Sequence, residues 1–159
     1  MKTVEFLNGW EKNFVTIFLE HNLFKNEKDE INKLTKIFTF FIPFCAKFKF
    51  NTKENDEFFE KLLATNNYDT KVIYIGKKLF SKNQYKLIEV CTNELLSYNL
   101  IKLAIQHKVT LDFELWFNDQ LKVTGVLYGD AGESHSIHFN TKCFDVDKIK
   151  SEIISIFKT

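Results

Sequence analysis

The stretch of sequence that decides the fold runs from residue 111 to residue 128 and reads LDFELWF, NDQ, LKVTGVLY. In both longer segments every second residue belongs to an apolar set, which is typical of a strand with one buried face. Asn118 and Asp119 in the short segment between them are turn formers. The stretch therefore predicts an antiparallel hairpin.

The two apolar faces also predict the register of this hairpin. Pairing Phe117 with Leu121 across a three-residue loop keeps both apolar sets on one side of the sheet, whereas a two-residue loop mixes them. In this register Gly125 lies opposite Phe113 and leaves space for its ring. Residues 135–140 extend the same inner face as a third strand, which completes a C-terminal β-meander.

The rest of the chain predicts helices and further strands. Helices are expected over residues 3–22, from Asn26 to Pro43, over 53–65, from a Ser81–Gln84 capping box to residue 107, and from Asp145 onward. Strands are expected over residues 44–50, as an edge guarded by lysines, and over 71–76, as a central strand. The predicted fold class is α+β, in which about four to five helices pack against one mostly antiparallel sheet with a C-terminal β-meander and a terminal helix.

Composition excludes several classes of function. The 159 residues, taken as one domain over 1–159, contain 22 basic residues, all of them lysine, and 21 acidic residues, so the net charge is +1. Such a balance gives no field to attract nucleic acid or an anionic membrane. The absence of arginine and of any glycine-rich phosphate loop excludes arginine-dependent phosphoryl transfer. Without a signal peptide or an apolar stretch of spanning length, a cytoplasmic location is expected.

The outward face of the meander is the candidate partner-binding surface. Aromatic side chains among charged groups are typical of binding hot spots. The residues expected there are Asp112, Glu114, Trp116, Tyr128, Asp130, Glu133 and His138. A second acidic patch is expected on the helix over 53–65, from Glu54, Asp56, Glu57 and Glu60. The alternative for both surfaces is that they are simply solvated.

No catalytic residue, metal site or cofactor is predicted. The predicted register places Val126 between Asp112 and His138, which is too far apart for a catalytic pair. His135 and His138 point to opposite faces of their strand and so cannot share a metal ion. His21 is expected at a helix C-terminus, and Cys91 on a buried helical stripe.

In its general organisation the chain resembles the small bacterial immunity proteins of contact-dependent growth inhibition and related polymorphic toxin systems. The resemblance rests on one domain without a catalytic signature and on the hairpin LDFELWF-NDQ-LKVTGVLY near a C-terminal helix. It implies a non-catalytic antitoxin that binds a cognate toxin domain, such as a basic nuclease, and neutralises it. No residue role can be carried over.

Two alternatives remain open at this point. The first is a small α+β enzyme or ligand-binding domain, with an aromatic-lined pocket closed by Tyr74, Tyr85 or His138. The second concerns assembly: the chain is either a monomer or a homodimer formed through the outward face.

Overall fold

The computed structural model describes residues 4–9, 12–44, 47–52, 56–65, 70–77, 84–91, 93–128 and 134–158, several of those between 44 and 94 by their backbone alone. The strands are β1 Glu5–Asn8, β2 Phe14–Glu20, β3 Lys47–Thr52, β4 Thr70–Lys77, β5 Gln84–Cys91, β6 Leu111–Phe117, β7 Gln120–Leu127 and β8 Ser134–Asn140. The α-helices are α1 Glu27–Phe41, α2 Asp56–Thr65, α3 Glu94–His107 and α4 Val146–Lys158. Short 3-10 helices cover His21–Leu23 and Ile42–Phe44.

The strands form one eight-stranded sheet in the order β1-β2-β8-β7-β6-β3-β5-β4, and every neighbouring pair is antiparallel. The α+β class, the C-terminal meander and the terminal helix are confirmed. Two strand positions were predicted wrongly, because β3 lies inside the sheet and β4 lies at its edge. Lysines and apolar runs indicate which faces of a strand are exposed or buried. They do not indicate whether its backbone edges pair with neighbouring strands, and this pairing decides its position in the sheet.

The register of the hairpin is confirmed over most of its length. Phe113 pairs with Gly125, and the same register holds from Leu111 to Leu115. Beyond Leu115 a bulge shifts the pairing by one residue, so that Phe117 lies opposite Gln120. The loop therefore has two residues instead of three, and Asn118 and Asp119 both adopt left-handed backbone with φ of 48° and 58°. The apolar pairs stay on one face up to Leu115 and Val123, but beyond the bulge Leu121 lies opposite Trp116, so the predicted pairing of Phe117 with Leu121 is wrong.

The predicted helix over residues 3–22 is wrong, because this segment forms the β1–β2 hairpin. Its apolar residues fit both periods: Phe14, Ile17 and Phe18 lie at helical spacing, yet Ile17 and Leu19 are buried as alternate residues of a strand. The β-branched run from Val15 to Ile17 favours the strand.

The long helix predicted from Ser81 is also wrong in its first half. Residues 84–91 form strand β5, and Cys91, expected to be buried, is exposed at its end. The helix begins only after Asn93, whose side chain accepts a hydrogen bond from the Leu96 N–H at 2.7 Å. Ser81 lies outside the described residues.

Helix α1 begins where the sequence predicts. The side chain of Asn26 accepts a hydrogen bond from the Asp29 N–H at 2.9 Å and so caps the helix. Asn26→Ala is expected to lower the free energy of unfolding by about 1 kcal/mol, because the cap satisfies a helix N–H that otherwise lacks a partner. Urea denaturation measures this loss. Asn32→Ala, at an exposed position of the same helix, is the control and should cause no loss; equal effects of the two changes would contradict the cap's role.

The helices pack on one face of the sheet through a phenylalanine-rich core. Phe38 of α1 contacts Phe113 of β6, with ring centroids 4.7 Å apart, and Phe41 contacts Phe139 of β8 at 6.1 Å. Helix α3 packs against α1, and α4 contributes the buried Ile149 and Ile153 to the same cluster. In the described part of the chain, no helix has the length and apolar character needed to cross a membrane.

Candidate functional site

The sheet face opposite these helices, which we call the open face, carries the outward side chains of the strands. The register aligns one row of these side chains across seven strands: Leu7, Thr16, His138, Thr124, Glu114, Lys49 and Glu89. In the part of the chain that the structure describes, no helix packs on this face. The row therefore runs from an apolar end at β1 to a charged end at β5.

At the charged end, side-chain contacts hold the ring of Trp116 in place. Its Nε1–H donates a hydrogen bond of 2.7 Å to Glu114 Oε2, and Lys49 Nζ lies 4.3 Å from its ring centroid. Such a cation–π contact is worth about 0.5–1 kcal/mol at an exposed site. The indole is thus fixed between one carboxylate and one ammonium group.

The lysines of β3 also bind the carboxylate of β5. Lys47 Nζ lies 3.0 Å from Glu89 Oε1, and Lys49 Nζ lies 3.9 Å from Glu89 Oε2. The hydrogen bond and the negative charge of Glu89 raise the pKa of Lys47. The carboxylates of Glu89 and Glu114 are therefore both engaged by neighbours on the open face.

The structure brings together four of the predicted partner-binding residues. Asp112, Glu114, Trp116 and His138 are half-buried on the outward side of β6 and β8. The predicted neighbour of His138 is wrong: it lies opposite Thr124, while Val126 pairs with Asp112 and Ser136.

The remaining predicted residues divide into two groups. Asp130, Glu133 and Glu54 lie outside the described residues. Asp56, Glu57 and Glu60 lie on α2, whose predicted position is confirmed, but their side chains are outside the described part. The acidic patch on α2 therefore stays a prediction.

Tyr128 is a further correction, because its side chain is buried and faces away from the open face. It follows β7 with φ of 51°, a left-handed conformation that interrupts the alternation on which the prediction rested. Two side chains hold this backbone: the Thr110 hydroxyl donates to the Tyr128 carbonyl at 2.7 Å, and the Tyr128 N–H donates to His135 Nδ1 at 3.1 Å.

Tyr128 belongs to a buried polar cluster that the sequence did not predict. Glu30 Oε1 lies 2.6 Å from His135 Nε2 and 2.9 Å from His21 Nδ1. Tyr128 Oη lies 3.5 Å from Glu30 Oε2. We call His21, Glu30, Tyr128 and His135 the histidine cluster. It joins the end of β2, the first turns of α1 and the adjoining ends of β7 and β8.

Hydrogen bonding fixes the proton positions of His135. Its Nδ1 accepts from a backbone N–H, so this nitrogen carries no proton, and its Nε2 donates to Glu30. Burial lowers the pKa of His135, although the hydrogen bond and charge of Glu30 act in the opposite direction. Burial and the charge of Glu30 raise the pKa of Tyr128 to about 12. The cluster is therefore built around a neutral His135 that donates its Nε2 proton to Glu30.

His21, Glu30 and His135 are residue types that bind metal ions, but Nε2 of His135 carries a proton and so offers no lone pair to a metal ion. Nitrogen and oxygen atoms of His21, Glu30 and His135 all lie within 4.8 Å of one another. A metal ion needs the free lone pair of His135 Nε2, and the proton displaced to Nδ1 would then face the Tyr128 N–H. The residues present therefore do not fit a metal ion, and the cluster is best described as a set of buried hydrogen bonds.

Sequence reasoning missed this cluster because its members are distant in the chain. Glu30 and His135 are separated by 105 positions, and Glu30 reads as an ordinary acidic residue of a helix N-terminus. One signal was available: His135 is predicted on the inner face of its strand, where a histidine needs a buried partner.

Known proteins add no identification to this geometry. No protein-family model, no curated protein and no solved structure matches the chain.

Proposed function

We propose that the chain is a non-catalytic protein-binding domain that uses the open face, and more specifically a cytoplasmic immunity protein that neutralises a cognate toxin domain. The observation that carries this proposal is the Trp116 ring, held between Glu114 and Lys49 on a sheet face against which no described helix packs. Trp is enriched among the residues that dominate binding energy. A ring already fixed in place loses little conformational entropy when a partner covers it.

The rest of the open face supports a protein partner. Toward β1 the row becomes uncharged, through Thr124, His138 and Thr16, and it ends at Leu7, which is 49% exposed. A surface with an aromatic anchor between two charged groups, continued by polar and apolar side chains, has the mixed composition that is ordinary for protein interfaces.

The charge of the proposed partner is a separate matter. Glu89 is ion-paired with Lys47 on the open face, so a basic toxin would be attracted mainly by Asp112 and Glu114 and by the acidic residues predicted on α2 and after β7. Such residues would speed the encounter more than they would deepen affinity. The proposed toxin domain is therefore basic.

The proposal is tested with the protein encoded immediately upstream of this chain's gene. We expect this protein to stop bacterial growth when produced alone, and co-production of the chain to restore growth. Calorimetry with Trp116→Ala should show affinity weaker by at least about thirtyfold, the loss expected for a hot-spot residue of about 2 kcal/mol.

Leu95→Ala is the matched control, because Leu95 is 63% exposed on α3, in the helical layer. This variant should bind like the wild type. If Leu95→Ala weakens binding and Trp116→Ala does not, the open face is the wrong surface. If the upstream protein is not toxic, or the chain does not bind it, the immunity function is wrong.

A further inference from the structure

The histidine cluster contains a hydrogen bond that depends on the protonation of one ring nitrogen. His135 is fully buried, and the Tyr128 N–H points at its Nδ1 from 3.1 Å. A second ring proton on His135 would have to occupy Nδ1. That proton would face the Tyr128 N–H, so two donors would meet and neither would have an acceptor.

The backbone conformation of Tyr128 makes this residue sensitive to loss of its hydrogen bond with His135. Tyr128 adopts left-handed backbone, a conformation that is unfavourable for a residue other than glycine and persists only where its surroundings hold it. Those surroundings are the Thr110 hydroxyl on its carbonyl and the His135 ring on its N–H. Loss of the His135 contact removes one of these supports.

We propose that the histidine cluster is a pH-dependent switch: neutral His135 fixes Tyr128 and the adjoining ends of β7 and β8 against α1, and protonation of His135 releases them. This proposal is independent of the proposed toxin binding, because it concerns the helix side of the sheet. It depends only on the hydrogen bonds of the cluster and on its burial.

Some of the charged and titratable groups around His135 raise its pKa, and others lower it. From α1, Glu30 accepts its Nε2–H and favours the protonated ring, whereas His21, after β2, disfavours it. The charge of Glu27 of α1 contributes to the raised pKa of Tyr128. Phe24 covers the His135 ring at 5.8 Å and itself contacts Phe157 of α4.

One further charged group lies next to Phe157, the ring that Phe24 contacts. Lys33 of α1 has its Nζ 5.2 Å from the Phe157 ring centroid, and it is tied to Asp29 at 2.9 Å. Burial, together with the charge of His21, opposes the attraction of Glu30 for a proton on His135. The pKa of His135 lies below its usual value of 6.5 as a result.

The sign of the pH effect follows from this direction. Below about pH 6.5 the unfolded chain binds a proton at residue 135 that the folded chain does not, so stability falls as pH falls. Above about pH 6.5 residue 135 is neutral in both states, and the stability that the neutral ring contributes is fully present.

The first test is nuclear magnetic resonance on the wild-type protein. Nitrogen shifts of His135 should show a protonated Nε2 and an unprotonated Nδ1 at about pH 7.5, and this state should persist below pH 6.5. The amide-exchange protection factor of Tyr128 should fall at least about tenfold between about pH 7.5 and pH 5, relative to amides of the β3–β6 ladder.

The second test compares the urea midpoints of two variants over the same pH range. His135→Gln keeps an amide that can donate to Glu30 but cannot take up a proton. In this variant most of the decrease of the urea midpoint at acid pH should disappear. His107→Gln, at the exposed end of α3, should keep it.

The switch is overturned by a protonated Nδ1 at neutral pH, by titration of His135 at or above 6.5, or by unchanged protection of the Tyr128 amide. Equal pH profiles of wild type and His135→Gln would also overturn it. If His135→Gln does not fold, the measurements on the wild type decide.

Discussion

Gly125→Ala is expected to destabilise the protein by about 3 kcal/mol, at the upper end of the usual cost of overpacking a core. A Cβ atom at this position would lie 2.8 Å from Cζ of Phe113 and would also overlap the carbonyl oxygen of Ser136. The ring cannot withdraw freely, because it packs against Phe38 with centroids 4.7 Å apart. The carbonyl belongs to the paired backbone of β8. Urea denaturation measures the loss.

Two further variants separate the contributions at Gly125. In a Phe113→Leu background the ring contact is removed but the carbonyl contact remains, so the same alanine should cost about 1 kcal/mol less than in the wild type. Val126→Thr, at the next residue but on the open face, should change stability by no more than about 0.5 kcal/mol. A Gly125→Ala variant as stable as Val126→Thr would show that the predicted close contact does not exist in solution.

Glu30→Ala is expected to cost about 3 kcal/mol of unfolding free energy. The carboxylate accepts hydrogen bonds from His135 at 2.6 Å and His21 at 2.9 Å, and the Tyr128 hydroxyl lies 3.5 Å away. Alanine leaves the His135 Nε2–H buried without an acceptor, and such orphaned donors cost about 1–3 kcal/mol each. Loss of the charge-assisted bonds adds to this.

The controls for Glu30→Ala lie on the same helix. Glu27→Ala, at an exposed position of the first turn, should cost no more than about 0.5 kcal/mol. Glu30→Gln keeps one oxygen acceptor and should fall between the two alanine variants. Equal stability of Glu30→Ala and Glu27→Ala, measured by urea denaturation at neutral pH, would contradict the structural role of the histidine cluster.

Local patterns predicted the parts of the fold whose determinants are close in sequence. The alternation over residues 111–127 was enough to place the register from Leu111 to Leu115, but it did not predict the bulge beyond Leu115 or the two-residue loop. Asn26 marked the start of α1, because a cap and its N–H are only three positions apart. In contrast, residues 3–22 satisfy the helical and the extended period at once, so only pairing with a distant strand decides between them.

The histidine cluster could not be predicted, for the same physical reason. It exists because β2 pairs with β8, which brings His21 and His135 to within 5.0 Å, measured between ring centroids. No spacing in the sequence encodes that pairing. The inward direction of Tyr128 was equally hidden, because a single left-handed residue reverses the side to which an alternating pattern points.

The pairing of β2 with β8 also has a consequence for biosynthesis. Among the described strands, β8 is the other neighbour of the N-terminal hairpin in the sheet, and the hydrogen bond between Thr16 and His138 closes a loop of 122 positions. Contacts so distant in sequence form late and slow folding. Because β8 is synthesised after β1 and β2, these two strands wait for it before the sheet can be completed.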